Sequence, residues 1–264
     1  MIEPVDREFL SALCLARAGL RLDADKSYLI ESRLGPVARR EGYVSPEAFI
    51  GALREGADER LTWAAVEAMA LPESEFFRDR AVFHHVVEVM LPAMVKARRD
   101  QPVRVWCNAC GTGQEVYSLA MLLADAPGLA GQVELYASDL SERCLEKAQA
   151  GIYSQFEVQR GLPARMLVRH FEKRGESFQL SPRIRQMLRW RRVNLMDDLS
   201  PFGQFDLVLC RSLLGQLAPD ALAHVQGQLK RALTPGGRLV LGLKDPTGDL
   251  APVAAAPGVF ALAA

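Results

Sequence analysis

Two glycines one residue apart, in Cys107-Asn-Ala-Cys-Gly111-Thr-Gly113-Gln-Glu115, stand between a β-prone run starting at Val103 and a helical apolar run around Tyr117 to Ala124. Glycines at a strand-to-helix turn let the backbone come close to a nucleotide-like ligand at the carboxyl ends of parallel strands. The third glycine of a dinucleotide fingerprint is absent, because Val116 stands in its place, and a tight helix approach to a pyrophosphate is therefore not specified. Asp139 closes the next β-prone run, 26 residues after Gly113. A carboxylate there accepts hydrogen bonds from ribose hydroxyls and suits a dinucleotide or S-adenosylmethionine, with the missing glycine favouring the latter. The structural alternative for Asp139 is an N-cap of the following helix.

Cys107 and Cys110 form a CxxC, which could be a redox pair or half a zinc site. No second CxxC exists, and the four histidines have no ligand spacing beside it, so small buried residues are the reading and no metal is expected. The five cysteines form an odd set, and Met1 to Leu10 does not read as a secretory leader, so reduced thiols and a cytoplasmic location are expected. No apolar run approaches the roughly 18 residues of a membrane span.

The elements that must position these residues follow from the periodicity. Residues 1–68 carry helical apolar spacing without a clear strand, and Ser45-Pro46-Glu47 fits an N-cap with proline at the first helical position. A small N-terminal helical domain is expected there, and a larger domain over 69–264. Pro72 should end a helix, and Pro92 should kink or end the next one, which runs through Phe83, Val86, Val87 and Met90. From Val103, β-prone runs alternate with helical ones, and the last run follows a turn at Thr234-Pro235-Gly236-Gly237. Such alternation specifies an α/β fold with a Rossmann-like, mainly parallel sheet. Between about 171 and 185 a glycine-centred turn joins two short segments, which reads as a small antiparallel β insertion.

Several segments together resemble the CheR family of chemotaxis receptor methyltransferases. Glu73-Ser-Glu-Phe-Phe-Arg-Asp79 resembles its ETxFFRD signature, and Val105 to Met121 resembles its W-x-A-x-S-T-G-E-E-P-Y-S-x-A-M loop and helix. Tyr136 to Tyr153 and Phe205 to Leu214 resemble its A-T/S-D-I and FDxIFCRNVL segments, and Lys26 to Arg40 resembles its K-x-Y-L-x-x-R-L run. The likeness is collinear from about residue 8 to about 245. It implies S-adenosylmethionine as methyl donor, S-adenosylhomocysteine as product, and glutamate side chains of a chemoreceptor or related signalling protein as acceptor. A glutamate carboxylate is already ionised at neutral pH, so the chemistry asks for alignment rather than a strong base.

Residue by residue, the resemblance places Ser74 and Arg78 at the cofactor's methionine end, with Arg78 the catalytic candidate that orients carboxylates. It places Gly111, Gly113 and Glu115 at the loop and helix start, Asp139 on the ribose, Asn194 and Leu195 beside the adenine, and Ser212 and Leu213 where the family has Asn-Val. The bland alternatives are a surface ion pair for Arg78, a turn for Asn194 and a helix cap for Ser212. The chain departs from the pattern at Pro72, Gly111, Gln114 and Val116, at Ser212, at Gly215-Gln216 in place of Ile-Tyr, and at Gly242-Leu-Lys-Asp245 in place of G-H-S-E. Because Gln216 replaces a tyrosine expected to line the methyl-transfer pocket, a module that binds the cofactor without turnover is the alternative function. Gln155 to Arg192 holds ten basic and three acidic residues and could face an acidic partner or be a solvated face. It lacks clustered aromatics, with only Trp190 amid the charges, so no nucleic-acid partner is expected.

Overall fold

The computed structural model describes residues 2–22, 27–56, 58–70, 73–98, 101–129, 131–253 and 258–261. Pro72 lies outside the described residues, as do Lys26, two residues of the connector at 98–102 and most of the alanine-rich C-terminus. The chain divides into two compact units: Met1–Leu71 with Asn194–Met196 and Gly215–Gln226, and Pro72–Val193 with Asp197–Leu214 and Gly227–Ala264. A single cut after residue 68 does not contain the two returning segments, which lie far along the chain from the helices they join.

The first unit is built on α1 (Pro4–Ala18), α2 (Ser27–Arg40), α3 (Pro46–Arg54) and α4 (Glu59–Met69). Ser45 Oγ accepts the Ala48 N–H at 3.2 Å and Asp58 Oδ1 accepts the Leu61 N–H at 2.8 Å, so α3 and α4 begin on side-chain caps. Leu10, Leu34, Phe49, Ile50 and Val66 are buried at its centre. Gly19 ends α1 with φ +66, and a Cβ there would come within 2.4 Å of Ala221 Cβ, so glycine is required twice over. The Gly19 carbonyl accepts the Ala218 N–H, and Leu20 bridges Leu217.

The second unit holds a seven-stranded sheet in the order β6-β2-β1-β7-β8-β10-β9. Its strands are β1 (Val103–Asn108), β2 (Val133–Asp139), β6 (Leu188–Arg192), β7 (Phe205–Cys210), β8 (Leu233–Leu241), β9 (Ala251–Pro252) and β10 (Val259–Ala261). The first five in that order pair in parallel, and β10 and β9 close the edge antiparallel. This is the Rossmann-like α/β sheet the alternation specifies. Thr234 to Gly237 does not stand outside the strand as a turn: β8 starts at Leu233 and carries these residues as an irregularity opposite Phe205 to Leu207.

A second sheet, β3-β5-β4, consists of β3 (Ile152–Ser154), β4 (Phe171–Arg174) and β5 (Ser177–Leu180), all antiparallel. The hairpin falls where the sequence places the insertion. The third strand lies some 20 residues earlier because β3 has three residues, too few for a periodic signal.

The helices of this unit are α5 (Arg80–His85), α6 (Leu91–Arg98), α7 (Gln114–Ala124), α8 (Glu142–Ala150), α9 (Gln155–Gln159), α10 (Ala164–His170) and α11 (Pro182–Arg185), while α12 (Pro219–Arg231) crosses the division. Pro92 neither ends nor breaks its helix. A π-helical stretch, Val86–Met90, precedes it, and the widened turn accommodates a residue that has no N–H to donate. Helix α7 is buried from Gln114 through Leu123. Its hydroxyls are satisfied internally, Tyr117 Oη donating to the Ala148 carbonyl at 2.7 Å and Ser118 Oγ to the Gln114 carbonyl at 2.7 Å.

Asn108 is a polar side chain of this core with no partner among the described residues. It is 1% exposed, and the lack extends to both its amide nitrogen and its amide oxygen. Asn108→Ala removes an unsatisfied amide, so its melting temperature should rise, by the equivalent of about 1 kcal/mol. A lower melting temperature would mean that the amide is satisfied by a buried water or by a bound ligand.

Candidate active site

The glycine loop leaves β1 at Asn108 and enters α7 at Gln114, with Ala109, Gly111 and Gly113 at φ +47, +55 and +91. A Cβ on Gly113 would stand 3.0 Å from Ala148 Cβ and 3.2 Å from Tyr117 Cε2, so strain and crowding both select glycine. The loop is braced from three sides. Tyr153 Oη donates to the Thr112 carbonyl at 2.7 Å, the Ser138 carbonyl accepts the Cys110 N–H at 3.0 Å, and Ser74 Oγ accepts the Gln114 N–H at 3.2 Å.

Asp139 ends β2 beside this loop. Its Oδ2 accepts the Gly111 N–H at 2.8 Å and its Oδ1 the Ser141 N–H at 2.9 Å. The cap of α8 is Ser141, whose Oγ accepts the Cys144 N–H, so the N-cap reading of Asp139 gives way to a loop-bracing one. Burial pushes the Asp139 carboxyl above its ordinary value, and the N–H donors of Ser141, Gly111 and Leu140 pull it back. An ionised carboxylate has about four acceptor sites, and the N–H groups of Ser141, Gly111 and Leu140 do not fill them, which fits Asp139 to a ribose hydroxyl.

Next to the loop lies a buried charge network. Arg211, 4% exposed, follows β7 and donates from Nη1 to Glu115 Oε1 and to the Arg78 carbonyl, both at 3.1 Å, and from Nη2 to Asp79 Oδ2. Its guanidinium also lies 5.5 Å over the Phe83 ring. Burial pushes Glu115 up to about 7, against the lowering pull of Arg211 and Arg78. Glu115 Oε2 keeps no partner among the described residues and fits an ammonium group. Arg78 commits Nη1 to Ser212 Oγ at 2.5 Å and to Glu73 Oε2 at 3.2 Å, leaving Nη2 and Nε uncommitted among the described residues. Ser212 has φ +63, and Asp245 Oδ2 accepts the N–H of Ser212 at 2.7 Å and of Gly242 at 2.8 Å.

These contacts join Ser74, Arg78, Glu115 and Ser212, with Leu213 next in the chain, to the glycine loop with Gly111, Gly113 and Asp139. Asn194 and Leu195 are not joined by them and belong to the other compact unit. There Asn194 Nδ2 donates to the Arg17 carbonyl at 2.7 Å and its Oδ1 accepts the Met196 N–H. Gln216 also belongs to that unit, where its carbonyl accepts the Arg21 N–H at 2.8 Å. Arg211, Asp79 and Asp245 were not singled out by sequence reasoning, although each falls in a quoted segment. The signal in the structure is backbone conformation: the non-glycine residues with positive φ among those described are Phe77, Asp79, Ala109 and Ser212, all in or beside this cluster. Cys107 and Cys110 are buried free thiols, and burial pushes both well above the ordinary thiol range, away from thiolate chemistry.

The family model of the CheR methyltransferase S-adenosylmethionine-binding domain matches residues 72–249. Among curated proteins, chemotaxis protein methyltransferase 1 of Vibrio cholerae is 34% identical over 243 residues, covering 90% of this chain and 86% of that protein. Chemotaxis protein methyltransferase 1 of Pseudomonas aeruginosa is 33% identical over 261 residues, covering 92% and 89%. A chemotaxis protein methyltransferase of Vibrio parahaemolyticus is 32% identical over 242 residues, covering 90% and 86%. Fold, loop and family model together define an S-adenosylmethionine-dependent methyltransferase. The chain belongs to the CheR methyltransferase family.

Proposed function

We propose that this methyltransferase esterifies glutamate side chains on the cytoplasmic helical domain of a chemoreceptor or related signalling protein. The observation that carries the reading is the Arg78 guanidinium, tethered through one nitrogen to Ser212 and Glu73 while Nη2 and Nε stay open for a carboxylate. A fork of parallel N–H donors on a fixed stem is suited to aligning a carboxylate oxygen. The names of the relatives support a role in chemotaxis. No helix among the described residues is long and apolar enough to cross a membrane.

S-adenosylmethionine supplies, when bound, an electrophilic sulfonium methyl. Asp139 would hold the ribose hydroxyls, and Glu115 Oε2 the amino group. Arg78 would orient the acceptor carboxylate, which needs no general base because it is ionised at neutral pH. Incubation with methyl-labelled cofactor and receptor cytoplasmic domains should yield base-labile methyl groups on glutamates. Tight cofactor binding with no label on any receptor would select the alternative, a cofactor-binding module, which Gln216 in place of the pattern's tyrosine would then explain.

Glu115 makes cofactor affinity pH-dependent. Its folded value of about 7 lies above the ordinary 4.5, so it holds a proton across that interval in the folded chain. The stability linked to that proton is complete below 4.5 and lost as pH rises through 7. An ammonium placed on Oε2 expels the proton. Affinity should therefore fall as pH drops below 7, by up to about tenfold per unit, with proton release visible as a buffer-dependent binding enthalpy. Glu115→Gln should flatten the profile between pH 6 and 8. A flat wild-type profile would remove Glu115 from the amino-group role.

A further inference from the structure

Trp190 on β6 turns its ring toward α7, edge-on to Tyr117 at 5.6 Å, so its neighbours Arg189 and Arg191 project from the opposite face of the sheet. On that opposite face is a cavity of about 290 Å³. Its wall is aromatic: Trp106 stacks on Phe205 at 5.1 Å and lies nearly parallel to Phe202 at 6.0 Å. Three guanidiniums lie over these rings and their neighbour Tyr136. Arg104 sits 4.5 Å over Phe205 and 5.0 Å over Tyr136, Arg191 4.4 Å over Phe202, and Arg189 5.3 Å over Tyr136.

The charge of this cavity is not balanced. Glu134 pairs with Arg189 at 2.8 Å. The Arg104 guanidinium donates to neutral groups, the carbonyls of Gln204 and Phe202, and Arg191 has no carboxylate partner among the described residues. Two positive charges therefore line a hole with flat apolar walls. None of the proposed cofactor-binding residues lines it.

We propose that this cavity is a nucleotide-binding site, separate from the cofactor site. Guanidinium forks match the oxygens of a phosphate, and aromatic and guanidinium planes are stacking surfaces for a base. The base would lie against the half-buried Phe202 and Tyr136 rings, Trp106 itself being buried between Phe202 and Phe205, and the phosphate between Arg104 and Arg191. The volume is near the lower end for small-molecule pockets, which suits a mononucleotide better than a dinucleotide.

The test is calorimetry on the full chain with adenosine and guanosine monophosphates, the two unphosphorylated nucleosides, and inorganic phosphate, each with and without saturating S-adenosylmethionine. A mononucleotide should bind at least about tenfold tighter than its nucleoside or phosphate, and should still bind when the cofactor is present. Arg191→Ala and Phe202→Leu should each weaken it about tenfold while leaving cofactor affinity unchanged. No mononucleotide binding below about 1 mM would overturn the proposal. So would competition with the cofactor, which places the nucleotide in the cofactor site, or phosphate binding as tightly as the nucleotide, which makes this an anion site only. If both variants lose cofactor affinity too, the cavity is part of the fold's support, and the proposal fails.

Discussion

Asp139→Ala is expected to weaken S-adenosylmethionine binding by about 100-fold or more, the largest effect of any single side chain in the proposed site. Two losses add. The ribose hydroxyls lose an ionised acceptor, and bonds to charged groups contribute about 1.5 to 3 kcal/mol each. The Gly111 and Ser141 N–H groups also lose the oxygens that accept them at 2.8 and 2.9 Å, so the glycine loop loses its brace from β2. Asp139→Asn separates the two, because one amide oxygen can still accept a loop N–H while the charge is gone. The order wild type, then Asn, then Ala in titration calorimetry is the expected result. Unchanged affinity in the alanine variant would refute the site map.

Arg211→Leu is expected to have the largest effect on stability. The guanidinium holds Glu115, Asp79 and the Arg78 carbonyl from one buried position, and a leucine leaves Glu115 buried without its cation. Breaking a buried pair from one side costs about 3 to 5 kcal/mol. The cost should depend on pH with a definite sign. Glu115 already stands at about 7, and without Arg211 burial raises it further, so the variant holds its proton to higher pH than the wild type. The destabilisation should therefore be larger at pH 8 than at pH 6 in paired urea melts. A pH-independent difference would mean that Glu115 is not the group left stranded. Glu115→Gln in the Arg211→Leu background should recover part of the loss at pH 8.

Much of the larger domain was legible from residue spacing. The apolar alternation from Val103 onward, the paired glycines at 111 and 113 and an acid at the end of the next strand specify a parallel sheet and a ligand loop, because these are properties of contiguous residues. Glycines at positive φ leave a direct mark in the sequence. Ser74, Arg78, Glu115 and Ser212 were reachable because the quoted segments are collinear with a known family.

What spacing could not carry was pairing over distance. Arg211 and Glu115 are 96 positions apart, Arg78 and Ser212 134, and only folding brings β7's end to the start of α7. The same holds for β3, three residues that become a strand only beside β5, and for Asn194 and Gln216, whose backbone and amide bonds belong with the N-terminal helices. Pro92 does not end its helix, because a widened turn stands directly before it, which a local rule takes no account of. The glycine loop, the sheet and the cofactor class were therefore determined by local sequence, where backbone geometry follows from residue type. The raised Glu115, the tethered Arg78 and the unbalanced arginines over Trp106 and Phe202 were decided by tertiary structure, since burial and charge pairing are properties of neighbours in space.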